Sequence, residues 1–276
     1  MSVVAMLQGT VETDLSTMRT ALSLARRMNA PLRGLCALPD PNSALMVIAT
    51  PEAAGLTSAT TQSVFDMQEE VLSNAREAFR TATEGAESVT CEFKHEVNTV
   101  ERAAANAAAL SEAVVFPRIA ADGSQPLNPA FEHILMDAHL PLVLAGTATD
   151  VAGPAIIAWD GSNGAARAVR FHLPILKALG DVIIAQNADD LEKDPQREIS
   201  APEALSDWLV LQGISSRVME IEGEVAAGLL AMAKGSGAGL IIAGAYGHSR
   251  LTERLFGGTT RRLLKADSAP ALALAH

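Results

Sequence analysis

Short apolar runs alternate with amphipathic stretches along the whole chain. Val3–Leu7, Leu32–Leu38, Ala113–Phe116 and Leu140–Ala145 are nearly all apolar, the pattern of parallel strands covered on both faces. Val89–Val97 alternates apolar and polar positions, as a strand with one solvated face does. Helical spacing falls between these runs. Thr17–Met28 places Met18, Ala21, Leu22 and Ala25 on one face, with Asn29 near its end. Val64–Thr83 predicts a long amphipathic helix, Val100–Leu110 an alanine-rich one, and Phe131–Ala138 a short one. Pro39 to Gln62 is rich in Pro, Ser, Ala and Thr and predicts a long loop with a short helix near Pro51–Gly55.

The plan then repeats. Thr147–Pro154 reads as a linker. Strands are predicted at Ala155–Trp159, Asp181–Gln186, Ser216–Ile221, Leu240–Ala243 and Ala271–Leu274. Helices are predicted at Ala165–Leu179, Ala201–Gln212, Val225–Ala233 and Arg261–Lys265. Pro174 lies inside the first of these, so a kink or break is expected there. Asn187–Ile199 reads as a charged loop. The ends of the two halves align directly: HILMDAHLPLVLA closes the first and RLLKADSAPALAL the second, with Pro141 opposite Pro270. Strands alternating with helices predict a doubly wound α/β fold. Two such units are expected in tandem, at residues 1–148 and 154–276, each a five-stranded parallel sheet of order 3-2-1-4-5 flanked by helices, flavodoxin-like or Rossmann-like in class.

Composition narrows the function. Of 276 residues, 49% are hydrophobic and only 4% aromatic, so small aliphatic side chains must do the packing. The net charge of −11 argues against nucleic acid or an anionic membrane as the main partner. No apolar run is long enough to span a bilayer, and no leader pattern opens the chain, which points to the cytoplasm. Cys36 and Cys91 both fall in predicted strands and read as small buried hydrophobes. His133, His139 and His172 are scattered without metal spacing. No HExxH, Walker lysine or defensible Ser-His-Asp order is present.

The most informative chemistry follows Leu240–Ala243. Gly244 and Gly247 come at once. Gly257, Gly258, Thr259 and Thr260 follow, just before a predicted helix. A loop leaving the carboxyl end of a parallel strand and entering a helix N-terminus gathers unpaired N–H groups and positive dipole potential. Glycines let the backbone approach a bulky anion. The same glycines could equally be turn formers and a hinge. Arg250 and Arg254 in this stretch could pair with phosphates or be solvated charges on a short turn. The strand at Ala155–Trp159 ends in Asp160-Gly161-Ser162, and in a 3-2-1-4-5 sheet it lies beside the one ending at Gly244. Asp160 could accept hydrogen bonds from a nucleoside or, with Ser162, cap the next helix. In the first half Pro117 stands about where Gly244 does, and proline lacks the N–H a phosphate cradle needs.

The spacing Gly244, two residues, Gly247, nine residues, Gly257 resembles the C-terminal signature of the universal stress protein family, in which Ser or Thr follows the last glycine. GAYGHSR with GGTTRRLL is similar to one bacterial branch of it. The chain departs at Gly258, where nucleotide-binding members carry Ser or Thr; here the hydroxyl comes at Thr259. The resemblance implies a tandem member whose first domain lost the cradle, the two domains pairing through their last strands as a pseudo-dimer, with a homodimer of chains also in view. It implies an adenine nucleotide, ATP with Mg²⁺, held by Asp160, Gly244, Gly247, Gly257, Gly258 and Thr259, with adenine near Ala185 and Gln186. The expected role is stress-response regulation rather than catalysis. The alternative is an interaction scaffold with protein partners and a vestigial site.

Overall fold

The computed structural model describes residues 2–41, 57–148, 150–187, 201–245, 258–266 and 268–276, with side chains from residue 62 onward in the second of these segments. The expected short helix at Pro51–Gly55, the loop at Asn187–Ile199 beyond Asn187, and the glycine loop from Tyr246 to Gly257 lie outside the described residues.

Ten strands form one continuous sheet. The first half supplies β1 (Val3–Leu7), β2 (Leu32–Leu38), β3 (Cys91–Val97), β4 (Ala113–Phe116) and β5 (Leu142–Leu144). The second supplies β6 (Ala155–Ala158), β7 (Asp181–Gln186), β8 (Ser215–Glu220), β9 (Leu240–Gly244) and β10 (Ala271–Ala275). The order is β3-β2-β1-β4-β5-β10-β9-β6-β7-β8. Each half is therefore parallel with order 3-2-1-4-5. The halves meet where β5 and β10 pair antiparallel, Val143 opposite Ala273. Those two strands would each expose an edge alone, and pairing them removes it.

The apolar runs explain the layering. Val3, Ala5 and Leu7 face one side of the sheet, in a cluster with Ala155, Ile157, Leu240 and Ile242. Val4 and Met6 face the other, in a cluster with Ile156, Ile241, Leu272 and Leu274. Each cluster crosses from one half to the other, so the two halves share their core. Helices cover both faces: α1 (Val11–Met28), α2 (Thr57–Thr83), α3 (Val100–Ala109) and α4 (Asn128–Glu132) from the first half, then α5 (Asn163–Phe171), α6 (Leu173–Leu179), α7 (Pro202–Leu211), α8 (Val225–Ser236) and α9 (Gly258–Lys265). The outermost strands, β3 and β8, are mostly exposed, which is why β3 alternates in sequence.

The differences from the expected elements have local causes. α1 starts at Val11 because an acidic first turn, Glu12 and Asp14, precedes the apolar stripe and suits a helix N-terminus. The predicted helix at Ala165–Leu179 is two helices, broken at His172 just before Leu173-Pro174. α4 ends after five residues and continues as a π turn over His133–Asp137. The segment read as a linker is pinned on both sides. Ser23 Oγ donates to Asp150 Oδ1 at 2.7 Å and accepts from Val151 N–H at 2.9 Å. Gly239 N–H donates to Ala152 O at 2.7 Å, and Thr147 N–H to Ala269 O at 3.0 Å.

Candidate functional site

The carboxyl ends of β6, β7 and β9 lie side by side, at the point where the connections leaving β6 and β9 run in opposite directions along the sheet. Asp160, Gln186 and Gly244 stand at those three ends. Trp159 N–H donates to Ala185 O at 2.8 Å, carrying the β6–β7 pairing past the last strand residue. The chain then turns. Gly161 has φ +71°, which only glycine adopts cheaply. Asp160, half-buried, accepts from Ser162 N–H at 3.0 Å. Ser162 Oγ accepts from Ala165 N–H at 3.2 Å, so Ser162 is the N-cap of α5.

Gly244 has a different reason from the one expected of a turn. A Cβ there would lie 2.9 Å from the Gly164 carbonyl carbon and 3.0 Å from Ala165 N. The missing side chain lets the end of β9 lie on the first turn of α5. Ala245 N–H then donates to Ala275 O at 2.8 Å. Gly247 and Gly257 lie outside the described residues, as do His248, Ser249, Arg250 and Arg254. Gly258 opens α9; it is exposed, with open space where a Cβ would be. Thr259 is half-buried beside it, while Thr260 and Leu263 are buried. α9 is tied to α8 by Arg262 and Glu224, 3.0 Å apart. The Glu224 carboxylate also accepts from Ala226 N–H and Ala227 N–H at 3.1 and 3.0 Å, capping α8. Gln186 closes β7, its carbonyl accepting from Ile221 N–H at 2.7 Å. Its side-chain Nε2 is buried and has no hydrogen-bond partner among the described residues.

The first half repeats this corner with altered chemistry. Gln8-Gly9-Thr10 occupies the place of Asp160-Gly161-Ser162, and Gly9 has φ +84°. Gln8 therefore stands where the second half has a carboxylate. Thr10 makes no side-chain cap. Instead Asp14, fully buried, accepts from Gln8 N–H at 3.0 Å and Gly9 N–H at 2.8 Å. Burial raises its pKa to about 6, against the lowering effect of those N–H groups.

After β4, Pro117 leads into a 3₁₀ turn, Arg118–Ala121, in place of a glycine loop. Arg118 crosses to the other half. Its guanidinium donates to Leu264 O at 3.0 Å, to Leu263 O, to Pro270 O at 3.1 Å and to Ala145 O at 3.3 Å. Leu263 and Leu264 are in the last turn of α9, whose carbonyls have no helical partner. A cation there also suits the helix dipole. Burial lowers the Arg118 pKa to about 10. The first half thus grips the far end of the helix whose near end begins at Gly258.

Sequence reading did not single out Gln8, Asp14 or Arg118. The match of Gln-Gly-Thr to Asp-Gly-Ser was a usable signal for Gln8.

Against known proteins, residues 154–274 match the model of the universal stress protein family. The C-terminal half belongs to the universal stress protein family. The match covers the corner at Asp160, the strand β9 and the helix α9. The whole fold is similar to a universal stress protein from Archaeoglobus fulgidus DSM 4304, with a TM-score of 0.62 and 15% identity over 99% of this chain and 97% of that one. It is also similar to a protein from Pseudomonas aeruginosa UCBPP-PA14 provisionally assigned to the same family: TM-score 0.51, 15% identity, 99% of this chain and 92% of that one. At such identities the likeness concerns the fold alone. No curated protein matches the sequence.

Proposed function

We propose that the C-terminal half binds an adenine nucleotide, ATP with Mg²⁺, and that binding rather than catalysis is its role in a cytoplasmic stress response. The observation that carries this reading is the convergence of Asp160, Gln186 and Gly244 on adjacent strand ends, with the Gln186 Nε2 donor buried and unsatisfied among the described residues. A buried donor without a partner is costly, and a purine ring nitrogen would supply the acceptor. Asp160 has one carboxylate oxygen on Ser162 N–H; the carboxylate can accept further bonds from ribose hydroxyls. The phosphates would meet the N-terminus of α9 at Gly258 and Thr259, with Gly244, Gly247 and Gly257 as the further glycines of the proposed set. Mg²⁺ would sit among the phosphates, with Asp160 as the nearest protein carboxylate of the proposed set, reached through water.

The departure at Gly258 favours the second reading, a protein-binding scaffold with an unused site. If chains also dimerise, they do so away from the last strands, since β5 and β10 already pair with each other.

The test is calorimetric titration of ligand-stripped protein with ATP, ADP and AMP, with and without Mg²⁺, alongside Gly247→Val. Micromolar ATP binding lost in the variant supports the reading. No heat from any nucleotide at millimolar concentration overturns it in favour of the scaffold.

A further inference from the structure

We propose that the N-terminal half carries a second, chemically different site: a cavity for a small, neutral, mainly apolar molecule with one hydrogen-bond donor. The cavity, about 340 Å³, falls within the roughly 300–1,000 Å³ range of ligand pockets. It opens at the carboxyl ends of β1 and β2, the first half's counterpart of the Asp160 corner.

Its chemistry follows from the walls. Leu7, Leu38, Pro39, Val100 and Leu127 make most of the lining apolar. Where the second half has a glycine loop, here the chain after Pro117 folds down against the sheet. Asn128 Nδ2 donates to Ala120 O at 3.0 Å in a buried contact, which fixes Leu127, itself buried, as a wall. Among the described lining residues none is Lys or Arg, and the one charged side chain is Glu101, in the first turn of α3, where it answers the helix dipole. A nucleotide's phosphates would meet a carboxylate and no cation.

Gln8 supplies the polar point. It stands where the other half has Asp160, and its Oε1 is buried with no hydrogen-bond partner among the described residues. A neutral acceptor left unpaired beside an apolar cavity calls for a ligand that brings one donor. Asp160 to Gln8 and glycine loop to Pro117 change both ends of the site in the same direction, from anion to neutral molecule.

The test uses the full chain and N-phenyl-1-naphthylamine, a neutral aromatic amine with one N–H whose emission rises in apolar surroundings, and its N-methyl derivative, which lacks the donor. The expected result is saturable one-to-one binding, with the N–H compound held roughly tenfold tighter, as one net hydrogen bond implies. Gln8→Leu should still bind both probes but hold them equally. Leu38→Trp, which fills the cavity from a half-buried position, should abolish binding, with circular dichroism confirming that it folds. Saturating ATP should leave the probe bound, separating this site from the one proposed in the other half. Absence of saturable binding, equal affinity for the two probes in the unaltered protein, binding unchanged in folded Leu38→Trp, or displacement by ATP overturns the proposal. The probe pair on the unaltered protein decides the matter even where a variant fails to fold.

Discussion

Replacing Arg118 with methionine tests how the two halves hold each other. The methionine keeps much of the apolar stem and removes every donor. Four carbonyls from three elements lose a charged partner: Leu263 and Leu264 at the end of α9, Pro270 before β10, and Ala145 after β5. A hydrogen bond to a charged group contributes about 1.5–3 kcal/mol, and an abandoned buried carbonyl costs about 1–3 kcal/mol. Water can reach part of this half-buried site and repair the outer contacts. Counting only the two helix-end carbonyls at the lower figures gives a loss of about 3 kcal/mol. For a chain of this size that is a fall in Tm of roughly 6–10 °C. Urea and thermal unfolding at pH 7 would measure it. Arg118→Lys, which keeps the charge but not the planar fork, should recover part of the loss. Hydrogen exchange should place the loosening at the last turn of α9 and the start of β10. A change below about 0.5 kcal/mol, the level of a surface substitution, would refute the argument that Arg118 braces the interface.

Two buried titrating groups act in opposite directions. His172, fully buried, has its pKa lowered to about 4 by desolvation; Asp14 has its own raised to about 6 by the same cause. Neutral His172 contributes stability that is whole above pH 6.5 and lost as pH falls through 4, about 3 kcal/mol for the shift. Asp14 contributes stability that is whole below about pH 4 and lost as pH rises through 6, again about 3 kcal/mol. The unaltered protein should therefore show little net dependence from this pair between pH 4 and 6.5. Asp14→Asn should lose stability on acidification across that window and His172→Gln should gain it, both read from urea midpoints; parallel curves for all three proteins would contradict the assignment. Gly244→Ala forces a methyl against the Gly164–Ala165 backbone and should destabilise by about 1–3 kcal/mol, as overpacking does; an unchanged Tm would show that β9 is free to move off α5. Thr259→Glu places a carboxylate in the first turn of α9, which suits the helix but repels phosphate, so ATP affinity should fall roughly tenfold or more with stability kept; unchanged affinity would move the phosphates elsewhere.

The layers of the fold were legible because they are written locally. Continuous apolar runs such as Leu240–Ala243 announce strands buried on both faces, and the matched prolines at 141 and 270 reveal the repeat. Pro174 signalled the break that falls at His172. What was not legible depends on distance along the chain. Arg118 reads as one more surface cation until β5 and β10 pair and bring Leu263, some 145 positions away, to its side chain. Asp14 reads as helix-start acid, and only the tertiary fold shows it buried beneath Gln8 and Gly9. Gly244 reads as a loop glycine, yet its strictest demand comes from α5, eighty positions earlier. In the second half, Asp160 and Gln186 could be placed on neighbouring strand ends in advance, because the expected strand order sets which strand ends lie side by side.

The most direct measurement is a crystal structure of the full chain grown with Mg²⁺ and ATP at millimolar concentration. The account predicts the nucleotide at the carboxyl ends of β6, β7 and β9. Its base should accept from Gln186 Nε2, its ribose should donate to the Asp160 carboxylate, and its phosphates should lie over the N-terminus of α9 at Gly258 and Thr259. A nucleotide bound anywhere else, or an empty corner with Gln186 and Asp160 unchanged, would contradict it.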